Sequence, residues 1–88
     1  MRYIVKLTAK SREAIRKLSD ADKEVLVNLI DDLREKGPIQ PNYRNFSKLG
    51  KGKYHCHLSY HWVACWECQN GEYVIEVYYV GSRESAPY

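Results

Sequence analysis

The spacing of hydrophobic and polar positions changes several times along this chain, and each change marks an element. Tyr3-Ile-Val-Lys-Leu7 alternates and predicts a short strand, with Tyr3, Val5 and Leu7 on one side. Beyond it the period becomes helical. Thr8 or Ser11 caps a first helix of about three turns, whose stripe is Ala14, Ile15 and Leu18 and whose Arg12, Arg16 and Lys17 face water. Ser19-Asp20-Ala21-Asp22 brings capping oxygens and negative charge to the start of a second helix. Val25, Leu26, Leu29, Ile30 and Leu33 share one face of it, and Gly37-Pro38 is its stop.

The second half is extended. Residues 38–52 carry two prolines, two asparagines and two glycines and read as a loop. Tyr54-His-Cys-His-Leu58 is the next strand, and residues 61–82 read as a hairpin about Asn70-Gly71, the dipeptide that a two-residue type I′ turn prefers. Counting outward pairs Gln69 with Glu72, Trp66 with Ile75, Ala64 with Val77 and Trp62 with Tyr79, a ladder that belongs in the core. The other face carries Glu67 with Val74, Cys65 with Glu76, Val63 with Tyr78 and His61 with Val80, a mixed set expected to stay open. Val63, Val74, Tyr78 and Val80 would then offer apolar surface to a partner. The expected architecture is one α+β domain over residues 1–88, β-α-α-β-β-β, with a helical hairpin packed on a four-stranded, mainly antiparallel sheet.

Composition narrows the class. Apolar residues make up 44% and charged residues 28%, with a net charge of +3, which describes a globular protein and neither a disordered nor a membrane one. No secretory signal opens the chain and no apolar run approaches membrane length, so a cytoplasmic protein is expected. Cys56, Cys65 and Cys68 are an odd number and are expected to be free thiols. The charge is uneven: residues 1–48 hold 11 Lys/Arg against 7 Asp/Glu, and residues 49–88 hold 3 against 4. The basic excess permits a nucleic-acid partner, and Arg44, Lys48, Lys51 and Lys53, in and beside the loop, are the candidate RNA-phosphate contacts.

The candidate chemistry lies in the histidines. His55 and His57 project to the same side of a strand, and imidazoles exchange protons at neutral pH. A two-residue turn at Ser59-Tyr60 would place His61 on the opposite face, whereas a three-residue loop would pair it with His57, and the sequence leaves both open. Arg83 can stabilise a dianionic phosphorane, and Tyr88 can stack on a base or relay a proton. Cys65-x-x-Cys68 has zinc-knuckle spacing, but residues three apart on a strand point to opposite faces, so no metal and no other cofactor is expected.

The element order, the lead-in Lys48-Leu-Gly-Lys-Gly-Lys-Tyr54 and the ending Val77-Tyr-Tyr-Val-Gly-Ser-Arg-Glu-Ser-Ala-Pro-Tyr88 resemble the RelE/ParE toxin superfamily of toxin–antitoxin modules over essentially the whole chain. The resemblance places Arg83 and Tyr88 on positions where RelE-like toxins carry a catalytic arginine and tyrosine. It implies a ribosome-dependent endoribonuclease that cuts messenger RNA without a metal, inhibits translation and is held inactive by a small antitoxin. RelE-like toxins usually carry Lys or Arg at the positions matching His55, His57 and His61. Histidines there imply an acid–base version, in which one imidazole accepts the 2′-hydroxyl proton and a second imidazolium or Tyr88 protonates the leaving 5′-oxygen. The superfamily also contains ParE-like toxins that bind gyrase, and a degenerate module that only binds antitoxin is a further alternative.

Overall fold

The structure, a computed structural model, describes residues 2–69 and 71–88. Strand β1 (Ile4–Leu7) leads into helix α1 (Ala9–Ile15) and helix α2 (Asp20–Lys36). Then come β2 (Ser47–Gly50), β3 (Lys53–His57), β4 (Trp62–Cys68), β5 (Val74–Ser82) and a 3₁₀ turn at Arg83–Ser85. The strands form one sheet in the order β1-β5-β4-β3-β2. β1 runs parallel to β5 and the other neighbours are antiparallel.

The helix boundaries follow from capping chemistry. The Thr8 hydroxyl accepts from the Ser11 N–H at 3.1 Å and the Ser19 hydroxyl accepts from the Asp22 N–H at 3.1 Å, each satisfying an amide that the helix start leaves without a partner. Gly37 ends α2 with φ of 99°, a conformation that side chains other than hydrogen rarely tolerate. α1 is shorter than its stripe suggests, and Leu18 is reached by a further turn. Ser11, buried, donates its hydroxyl to the Val77 carbonyl at 3.0 Å and fastens α1 to β5.

Leu18, Leu26, Leu29 and Leu33 pack against Cys56, Leu58, Ala64, Trp66, Cys68, Ile75, Val77 and Val80, so the two helices cover one face of the sheet as expected. Trp66 is fully buried, stacks with Phe46 and donates its indole N–H to the Pro38 carbonyl at 2.9 Å. A buried indole needs such an acceptor.

Three expectations are corrected. The sheet has five strands, because Ser47–Gly50, inside the expected loop, pairs with β3. An exposed edge strand reading Ser-Lys-Leu-Gly has no second face to bury and shows little alternation. The hairpin register also differs. Glu72 does donate to the Gln69 carbonyl at 3.0 Å, but the ladder resumes with Cys68 opposite Ile75 and Trp66 opposite Val77, two residues out of step with the expected pairing. Asn70, on which the turn type was argued, lies outside the described residues. An offset of two preserves which side chains face the core, so Trp62, Ala64, Trp66, Ile75 and Val77 keep their places. Third, the register shifts again between Cys65 and Trp66, leaving Tyr78 as the extra residue of a β-bulge. The shift moves Tyr79 opposite Cys65, away from the core, and puts Val80 on the core face opposite Ala64, where Val77 was expected.

Candidate active site

Alternation along β3 sends Tyr54 and Cys56 to the helix side and Lys53, His55 and His57 to the other, where they meet Glu67, Cys65 and Val63 of β4. The His55 and His57 ring centres are 5.7 Å apart, with planes at 60°. Tyr88 returns to this face and lies against His55, ring centres 4.5 Å apart. Ser47, opposite His55 on β2, places its hydroxyl 2.9 Å from His55 Nδ1 and leaves Nε2 for other chemistry. Three of the expected catalytic residues, His55, His57 and Tyr88, are thus gathered at one end of one face.

This end of the face is not open, contrary to expectation. Val63 and Cys65 are 0% exposed, and His55 and His57 are 7% and 8% exposed. The chain turns at Arg83–Ser85 and brings Tyr88, itself half exposed, over the sheet, so the two histidines with Val63 and Cys65 form a second, smaller buried cluster beside it. Val63 and Val80 therefore offer no apolar surface to a partner, the first being under this cluster and the second in the core. What remains uncovered is the far end, where Lys6, Glu76, Glu67 and Lys53 stand in a row across neighbouring strands.

His61 joins neither arrangement left open by the sequence. Leu58 and Ser59 both donate to the Trp62 carbonyl, His57 faces Val63, and His61 sits exposed in the turn. Its ring meets that of Tyr60 at 4.7 Å. Arg83 donates its backbone N–H to the His61 carbonyl at 2.8 Å and holds its guanidinium 4.6 Å from the Tyr60 ring centre. Tyr60 escaped the sequence reading because nothing around a lone turn tyrosine announces that a distant arginine will stack on it.

The expected RNA contacts divide. Lys53 shares the histidine face and lies 5.9 Å from the centre of the Tyr78 ring. The Arg44 carbonyl accepts from the His57 N–H at 2.8 Å, so an exposed arginine side chain starts beside the histidine pair. Lys48 is paired with Tyr54, and with Lys51, Gly52, Tyr54, Cys68 and Gln69 it lines a cavity of about 210 Å³.

Burial dominates the electrostatics. It pushes the His55 pKa down, the neighbouring His57 adds to that, and Ser47 partly opposes it, so His55 is neutral at neutral pH. Burial raises the Tyr88 pKa, Cys65 adds to that, and Arg83 pulls in the other direction. The Cys65 thiol is pushed up to about 12 by burial and Cys56 to about 12 by burial and by Cys65, so neither is a thiolate nucleophile. Cys65 and Cys68 point to opposite faces, and among the described residues no three His, Cys, Asp or Glu side chains converge as metal ligands. The cluster thus offers a neutral imidazole, a second imidazole and a protonated phenol, with an arginine near enough to bias the phenol.

No protein-family model and no curated protein matches the sequence. Solved structures do match in shape. The RelE of the archaeal RelE–RelB complex from Pyrococcus horikoshii OT3 superposes with a TM-score of 0.82 at 23% identity, over 98% of this chain and 100% of that one. The chain has the RelE toxin fold. A chain of the E. coli DinJ–YafQ toxin–antitoxin complex gives 0.76 at 12% identity, with 100% of both chains covered. An arginine-substituted E. coli RelE in complex with a peptide of the antitoxin RelB gives 0.75 at 21% identity, over 97% of this chain and 87% of that one.

Proposed function

We propose that this chain is the toxin of a toxin–antitoxin pair and acts in the cytoplasm as a ribosome-dependent, metal-independent endoribonuclease on messenger RNA, inhibiting translation. The observation that carries the reading is the packing of Tyr88 on His55 beside His57, which joins a proton acceptor and a proton donor on one face. His55, kept neutral by burial, accepts the proton of a ribose 2′-hydroxyl as that oxygen attacks phosphorus. The bond from phosphorus to the 5′-oxygen breaks, and Tyr88, which keeps its proton at neutral pH, protonates the leaving oxygen. The products are a 2′,3′-cyclic phosphate and a 5′-hydroxyl end. Arg83 neutralises the phosphorane, and Arg44 and Lys53 supply phosphate contacts. RNA reaches His55 by displacing or sliding along the Tyr88 ring, which is 55% exposed. In the matching complexes the fold is bound by RelB and by DinJ, which supports a small antitoxin as the partner here.

A second reading, a ParE-like gyrase-binding toxin or an antitoxin-binding module without chemistry, is favoured by the near-complete burial of both imidazoles. One experiment separates the two. Cleavage of ribosome-bound message is measured from pH 5 to 9 for the parent chain and for His55→Ala, His57→Ala, Arg83→Ala and Tyr88→Phe. The enzymatic reading expects each loss of a proton-transfer group to slow cleavage by roughly 10²- to 10⁴-fold, and the parent rate to fall on the acid side as His55 takes up a proton. Intact message with the parent chain, together with growth arrest on expression that the neighbouring gene's product relieves, would select the binding reading.

A further inference from the structure

Outside the His55, His57 and Tyr88 cluster stands an aromatic group that the chemistry above does not use. Tyr60, in the turn between β3 and β4, is 61% exposed and adds nothing to either buried cluster. Yet its surroundings are built. The Arg83 guanidinium lies 4.6 Å from the ring centre, and His61 meets the ring at 4.7 Å with planes 72° apart. The bond from the Arg83 N–H to the His61 carbonyl, 2.8 Å, ties this turn to the residue that starts the tail carrying Tyr88. Two segments far apart in sequence are thus locked together so that three planar groups stand side by side, just beyond the strand end that bears His57.

We infer that Tyr60, with Arg83 and His61 around it, is a stacking site for an unpaired nucleobase of the RNA, a reading that rests on the endoribonuclease function proposed above. A planar heteroaromatic ring is the ligand that suits this surface. Arg83 occupies part of the phenol ring, 61% of the residue remains exposed, and a guanidinium beside a stacked base can meet the phosphate joined to it. Stacking accepts every base, so the site fixes where the strand lies relative to His55 and sets the cut position without reading base identity. Arg83 then has two duties, holding Tyr60 in the resting protein and meeting phosphate in the complex.

The test uses ribosome-bound messages that each lack one base near the cut. With the parent chain, one abasic position should raise KM by roughly 5- to 100-fold with a smaller effect on kcat. Tyr60→Ala should raise KM on the intact message by a similar factor and lose sensitivity to that one position, while Tyr60→Phe, which keeps the ring, should behave as the parent does. The thermal midpoint of Tyr60→Ala should stay near the parent value, since the side chain is exposed. An abasic profile unchanged by Tyr60→Ala overturns the inference and leaves the endoribonuclease function standing. A Tyr60→Ala chain that cleaves normally but no longer binds the antitoxin assigns the platform to protein recognition and overturns it too. Message left intact by the parent chain removes both.

Discussion

The two faces of the sheet at β3 and β4 are both buried, and by opposite means. On one, leucines of α2 and Leu18 pack on Trp66, Ala64 and Cys56, and the polar demands of the Trp66 indole N–H and the Ser11 hydroxyl are each met by a backbone carbonyl. On the other, Val63 and Cys65 lie beside and beneath two histidines and a tyrosine, side chains of titratable type. Aliphatic cover costs little at any pH and supports no chemistry, whereas titratable cover carries chemistry and makes the seal depend on protonation. The comparison explains why proton-transfer candidates sit in a buried cluster: they are themselves the lid of the second core.

Four measurements probe that contrast. Trp66→Ala, which empties the centre of the helix-side core, should lower unfolding free energy by about 3–5 kcal/mol in denaturant titration. A loss under 1 kcal/mol would mean that the helix side is not the main core. Val63→Ala removes two methyl groups from the histidine side and should cost about 1.5–2.5 kcal/mol. A negligible cost would show that the tail and histidines seal nothing. Tyr88→Ala should cost about 1 kcal/mol, the ring being half exposed, and should speed labelling of Cys65 by a thiol reagent while Cys56 and Cys68 stay protected. Equal labelling of all three thiols would contradict separate covers. The smallest effect is the pH dependence. His55 has a depressed folded pKa, so the unfolded chain binds more protons just below pH 6.5. Its contribution is full above the unfolded value and is lost as pH falls from about 6.5 through the folded value, with a slope of at most about 1.4 kcal/mol per pH unit. His55→Gln should flatten that slope, and an unchanged slope would shift the effect to other groups.

Much of this arrangement was legible in the residues. Leu26, Leu29 and Leu33 at helical spacing, the Ser19 cap and the Gly37 stop define α2 because each rests on local chemistry. Alternation likewise put His55 and His57 on one face and separated Cys65 from Cys68. What sequence did not show depends on contacts between distant segments. β2 pairs only because β3 presents an edge to it, the bulge at Tyr78 is decided by how β5 fits β4, and the return of Tyr88 to His55 has no local signature. The position of His61 needed the turn geometry, and no Gly or Asn in Leu58-Ser59-Tyr60 fixed it.

β1 has a single neighbour in the sheet, and that neighbour is β5, with Ile4 opposite Val74 at the start of the pair. Ser11 of α1 is fastened to the same strand, through the Val77 carbonyl. During synthesis the first strand and first helix therefore wait, without a sheet partner, for a segment made some seventy residues later. Closing so long a loop is a slow step in folding. A chain stalled before Val74 would hold α2 and the β3–β4 hairpin but would lack Ile75, Val77 and Val80 of the one cluster and Tyr88 of the other, and without Arg83 and Tyr88 it would be harmless under the function proposed here. Under that proposed function, order of synthesis acts as a safeguard: the ribosome would have finished with this part of the message before the protein could turn on it.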